Sequence, residues 1–156
     1  MFQQGCETES FYLFVSSADS KDIYVDNCFG DFTVELPKLI DLPPSWDGCY
    51  EWNVALIDVT TNTANGNVAS SLLPTVLVLC DVVKESHLMG KQIPLLRILP
   101  GESVTTASVS IPQYMKLHQH TFNRLRIRLV NTNLEPIGKD SNRILACTLH
   151  FQRIVL

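Results

Sequence analysis

The segment from Phe122 to Val130 alternates without a break, with Leu125, Ile127 and Leu129 on one side and Arg124, Arg126 and Arg128 on the other. A period of two belongs to a β-strand with one buried and one wet face; on a helix, residues two apart diverge. The same period returns at Phe11–Ser17, Asp31–Leu36, Tyr50–Thr60, Thr75–Val82, Leu95–Leu99, Ala107–Ile111 and Ile144–Phe151, which makes eight strands in all. In the second of these Phe32, Val34 and Leu36 share a face and Pro37 ends the run; in the last, Leu145, Cys147, Leu149 and Phe151 do so. No stretch of ten residues keeps a 3.6-residue apolar period, so helix is expected to be scarce, with one short turn between Pro112 and His120. Eight strands punctuated by Gly and Pro suit a sandwich, a jelly roll or a closed barrel.

The run Tyr50–Thr60 is apolar on both sides, with Trp52, Val54 and Leu56 facing one way and Ala55, Ile57 and Val59 the other. Such a strand belongs in the middle of a sheet covered on both faces. It is followed by residues 61–74, a small-polar connection with an Asn65-Gly66 turn signal that is long for a hairpin and is a candidate exposed functional loop.

At 156 residues the chain is one domain's worth, able to bury roughly 70% of the surface its unfolded form exposes without disulfides or metals. Residues 1–156 are read as one domain, with residues 1–10 as an N-terminal arm and residues 11–152 as the β-domain. Apolar residues make up 46% and charged ones 18%, which favours some apolar surface meeting a partner. Residues 1–60 carry eleven carboxylates against two basic side chains, and residues 61–156 five against ten. In a β fold the halves interleave in space; the alternative is an acidic face that meets a basic face on a neighbouring copy. The five cysteines, Cys6, Cys28, Cys49, Cys80 and Cys147, form no CxxC pair, and Cys80 and Cys147 sit in apolar strands as small hydrophobes. Free thiols, an N-terminus without a basic or apolar leader and the lack of any glycosylation sequon point to assembly inside a cell without secretion by a signal peptide, and no apolar run is long enough to span a membrane.

Few residues suggest chemistry. His118 and His120 stand two apart, but a zinc site needs a third protein ligand, and His87, His150 and the cysteines have no telling spacing around them; no metal and no cofactor are expected. There is no nucleophile elbow and no phosphate-cradling glycine loop, so no catalytic set is assigned and the chain is read as a non-enzyme. The stripe Arg124, Arg126, Arg128 is either a solvated face or a subunit contact in which guanidinium groups pair with carboxylates of residues 1–60 on a neighbour. A nucleic-acid surface ranks last, because no aromatics interleave with it and the chain is net acidic at −4.

Six segments, in order, carry a resemblance: Gly30–Pro37 (GDFTVELP), Trp52–Asp58 (WNVALID), Val76–Asp81 (VLVLCD), Pro94–Pro100 (PLLRILP), Phe122–Leu129 and Cys147–Phe151 (CTLHF). Over roughly residues 11–152 they resemble the penton protein of Polinton/Maverick-type virus-like transposons and adintoviruses. This resemblance implies an all-β, eight-stranded single jelly roll of two packed four-stranded antiparallel sheets. It also implies a structural capsid protein of the virion, forming homopentamers at icosahedral vertices beside a double jelly-roll major capsid protein. With 156 residues, little chain remains for an added receptor-binding domain. The alternative is a free-standing β-sandwich binding module for carbohydrate or peptide that uses the 61–74 loop.

Overall fold

The computed structural model describes residues 9–61, 75–100, 106–108, 111–138 and 143–156. Eleven strands run in chain order: β1 Ser10–Ser16, β2 Asp31–Asp41, β3 Tyr50–Thr61, β4 Thr75–Cys80, β5 Ser86–Leu88, β6 Lys91–Ile93, β7 Leu95–Pro100, β8 Thr106–Ser108, β9 Met115–Lys116, β10 Thr121–Val130 and β11 Leu145–Val155. The described residues contain no helix, and all main pairings are antiparallel. One sheet has the order β1-β11-β3-β8, with β9 also on β3; the other is β2-β10-β4-β7. Each strand of the first half thus pairs with one of the second half in nested fashion, β1 with β11, β2 with β10, β3 with β8 and β4 with β7.

The alternation that defines β10 is realised side chain by side chain, with Leu125, Ile127 and Leu129 fully buried and Arg124 and Arg126 exposed. These apolar residues join Phe32 and Val34 of β2, Val76 and Val78 of β4 and Leu96 of β7. Against them pack Leu145, Leu149 and Phe151 of β11 and Trp52, Val54 and Leu56 of β3, so one core lies between the two sheets. A smaller cluster, Leu77, Leu79, Ile93 and Val130 with Leu88, Leu95 and Leu134 against it, lies on the other side of β4. The β5-β6 hairpin that supplies Leu88 and Ile93 explains why β4 is apolar on both faces.

Four sequence expectations change. The segment Pro112–His120 makes no helical turn; Met115 and Lys116 pair with β3 and Leu117 bridges to Val83, and those tertiary hydrogen bonds outcompete an isolated turn. The link through Lys84 to Gly90 contains β5 and leads into β6, giving three strands (β5, β6, β9) beyond the eight expected. Val59 joins the same core as Leu56, because Ile57 is the extra residue of a bulge where Leu149 pairs with Leu56 and Thr148 with Asp58. One inserted residue reverses the facing of everything after it. Strand β2 also continues past Pro37, resuming its pairing at Ile40 and Asp41 after an irregularity opposite Asn123. Residues 62–74 of the proposed functional loop, and residues 1–8 of the proposed arm, lie outside the described residues.

The outer border of β2 is closed by its own preceding connection. Asn27, buried, donates from Nδ2 to the Thr33 carbonyl (2.8 Å) and accepts at Oδ1 from the Thr33 amide (2.9 Å), while Ser20 Oγ accepts from the Glu35 amide (2.9 Å). Side chains thereby satisfy backbone groups that would otherwise offer a template for another strand.

The described cysteines are all free thiols, and burial pushes both Cys80 and Cys147 up to about 12. Cys49 is exposed at the β2-β3 turn. Although its bond to the Asp47 carboxylate raises the Cys49 pKa and slows the reaction, alkylation of the native protein at about pH 8 should modify Cys49 and leave Cys80 and Cys147 unmodified until denaturant is added. Mass spectrometry that finds Cys80 or Cys147 labelled at the native rate would contradict this core.

Candidate assembly surfaces

The arginine stripe lies on the outer face of the β2-β10-β4-β7 sheet, and its three members have different surroundings. Arg126 makes a bidentate pair with Asp31 of β2, from Nε to Oδ1 at 2.9 Å and from Nη2 to Oδ2 at 2.8 Å. Its own backbone N–H donates to Asp81 Oδ1 at 3.0 Å, so a second carboxylate stands close by. Arg124 lies beside Tyr24, whose hydroxyl donates to Glu35, and that bond to Glu35 raises the Tyr24 pKa. Arg128 is half-buried and has no ion pair among the described residues. It borders a cavity of about 470 Å³ in no part; the space it lines is a smaller one of ≈ 240 Å³ with Gly30, Asp31, Arg126, Leu134 and Pro136.

The carboxylates of the acidic first part of the chain thus meet the stripe within one molecule. Sequence separation hid this, because Asp31 and Arg126 are brought together only by the β2-β10 pairing. Arg126 is held in place by its own chain, and Arg128 has no ion-pair partner among the described residues.

The outer face of the other sheet carries aromatic side chains. Tyr12 stacks on His150 with ring centroids 4.5 Å apart, Phe14 lies 6.5 Å from Tyr12, and the Tyr114 hydroxyl is 2.7 Å from His150 Nδ1. Tyr12 and Phe14 are 56% and 72% exposed, so this is a large apolar surface for a side chain row facing water. Burial among these rings lowers the His150 pKa below its ordinary 6.5. The native state then takes up that proton less readily than the unfolded chain, so this stability is complete above pH 6.5 and is lost as pH falls through it. Thermal melts of the wild type and His150→Gln should converge or cross as pH drops below about 6.5; a difference that stays constant with pH would remove His150 as its source.

The two histidines of the His118-Gln119-His120 pair have different surroundings. His118 is exposed and lines the 470 Å³ cleft with Asp81, Glu85 and Gln92, whereas the His120 carbonyl accepts from the Leu42 amide at the opposite sheet junction. Among the described residues no three His, Cys, Asp or Glu side chains gather in metal-binding geometry. No helix there is long and apolar enough to cross a membrane. What sequence reasoning missed is the aromatic row: Tyr12 and Phe14 alternate visibly, but the approach of Tyr114 and His150 depends on the sheet order.

No protein-family model matches the chain, and no curated protein is similar to it.

Proposed function

We propose that this chain is a single jelly-roll capsid protein whose copies close into homopentamers at the vertices of an icosahedral shell, beside a larger double jelly-roll capsid protein. The observation that carries the reading is the nested pairing of β1 with β11, β2 with β10, β3 with β8 and β4 with β7, split between two sheets. Rolling up one long hairpin produces this order, which supports a jelly roll over a meander or a simple barrel. The six segments quoted above fall largely on β2, β3, β4, β7, β10 and β11, so the resemblance follows the framework of the fold.

A shell subunit works by burying surface against its neighbours, with apolar contact supplying affinity and charge setting register. The exposed row of Tyr12 and Phe14 and the head of Arg128, which has no ion-pair partner among the described residues, are surfaces of that kind. Light scattering after size exclusion, over a range of concentration and salt, tests the reading: a five-subunit species is expected, and a strict monomer in the presence and absence of a larger shell protein would refute it. Arg128→Gln should weaken assembly by roughly tenfold while leaving monomer stability within about 0.5 kcal/mol, because among the described residues it breaks no ion pair and sets no second carboxylate opposite Asp31. Equal assembly by this variant would leave Arg128 as part of a solvated face.

A further inference from the structure

We propose that β1 is a pairing edge between copies, its open side receiving the β8 border of the same sheet in a neighbouring copy; this rests on the ring reading above. Pairing with β11 alternates along β1. The Ser17 amide donates to the Leu145 carbonyl and the Arg153 amide to the Glu9 carbonyl, so the odd-numbered residues turn their backbone groups towards β11. Ser10, Tyr12, Phe14 and Ser16 therefore turn theirs outward. Ser16 is closed off by Asp19, which accepts from the Ser16 amide at Oδ2 (3.0 Å) and donates from its own amide to the Ser16 carbonyl (3.0 Å). Among the described residues nothing covers the backbone groups of Tyr12 and Phe14 in this way.

The β2, β7 and β9 borders are protected. The β2 edge is capped by Asn27 and Ser20. Strand β7 follows Pro94, ends on Pro100 and is broken by a bulge, and beside β9 the Lys84 amide donates to the Lys116 carbonyl. By contrast, β1 reads Ser-Phe-Tyr-Leu-Phe-Val-Ser, without charge, proline or bulge, over seven residues in unbroken register. Such an edge invites another strand unless something covers it.

Three observations favour a second copy as the occupant. The register rows cross the whole sheet: Phe14 aligns with Thr148, Asp58 and Ser108, and Ser16 with Ala146, Thr60 and Thr106. Of the two uncapped residues, Phe14 therefore lies at the height of β8, which among the described residues pairs with β3 alone. A ring generated by rotation about an axis along the strands needs its two meeting borders at equal height. Charges also match in the row Ser10, Gln152, Asn53 and Lys116: Glu9 flanks one end and Lys116 the other. Each is held loosely within the chain, Glu9 by Arg153 at 3.8 Å and Lys116 by Glu51 at 3.9 Å, and both side chains are more than half exposed.

The test is Phe14→Pro, which deletes an outward N–H without removing a bond to β11. Phe14→Lys, which places a charge on the edge while keeping the backbone, is the second variant in case proline unfolds the strand. Circular dichroism and a thermal melt establish the fold, and light scattering over concentration reads assembly. Both folded variants are expected to raise the concentration for half-assembly by roughly tenfold or more. A wild-type ring matched by equally assembled variants would overturn the edge proposal and leave the ring standing. A dimer lost in Phe14→Pro would mean that β1 pairs with β1, which also overturns pairing with β8. A wild type that stays monomeric would overturn the ring reading itself, and the second copy as occupant with it.

Discussion

Phe151→Ala should cost about 3–5 kcal/mol of folding stability, a large share of what a domain with a total of roughly 5–15 kcal/mol has to lose. The ring is wholly buried, stacked on Phe11 of the same sheet with centroids 5.0 Å apart and planes 6° apart, and tilted against Phe122 of the opposite sheet at 5.9 Å. It is thus a contact between layers as well as within one. Removing it leaves a void lined by two aromatic rings and by strands fixed on both sides by hydrogen bonds, which cannot close around the missing volume. Denaturant titration should show a lower midpoint with an unchanged slope. A loss below about 1 kcal/mol would mean that β11 is not the central strand between β1 and β3.

The strands were legible wherever one face is wet and the other dry. In β10 the sequence alternation and the burial alternation coincide, and in β11 Leu145, Cys147, Leu149 and Phe151 all reach the core. Two kinds of feature were hidden. A bulge such as that at Ile57 changes facing by a single residue and leaves no mark in a strand already apolar on both sides. Short elements such as β5, β6 and β9 owe their form to pairing with distant chain, so their polar composition read as linker and Pro112–His120 read as a turn.

The candidate surfaces were legible in the same partial way. The stripe itself follows from period two, but the difference among its members does not: Arg126 is engaged by Asp31, 95 residues away in sequence, and Arg128 is not. Likewise, Tyr12 and Phe14 announce an outward aromatic face, while the openness of their backbone depends on which border of which sheet β1 occupies. Composition hinted at a partner surface through its apolar excess. Only the pairing order says where uncovered apolar and hydrogen-bonding groups fall together.

Gly30→Ala should destabilise the protein by about 3 kcal/mol or more and disturb the Arg128 surface with it. A Cβ at Gly30 would stand 1.7 Å from the Ile137 carbonyl oxygen, a backbone atom that cannot rotate away. The surroundings are tied down from several sides: Leu129 donates to the Gly30 carbonyl at 2.8 Å, Ile137 donates to the Leu129 carbonyl at 3.1 Å, and Val130 bridges to Pro136. Making room means pulling the 136–138 segment off the end of β10, next to the cavity that Gly30, Arg126 and Arg128 line together. Gly48→Ala provides the comparison, since its φ of +76° strains an alanine but nothing lies within 4 Å of the added carbon. That variant should lose only about 1–2 kcal/mol and assemble normally. Equal losses in the two variants would show that crowding against Ile137 does not set the requirement for glycine at residue 30, whose own φ lies outside the left-handed region.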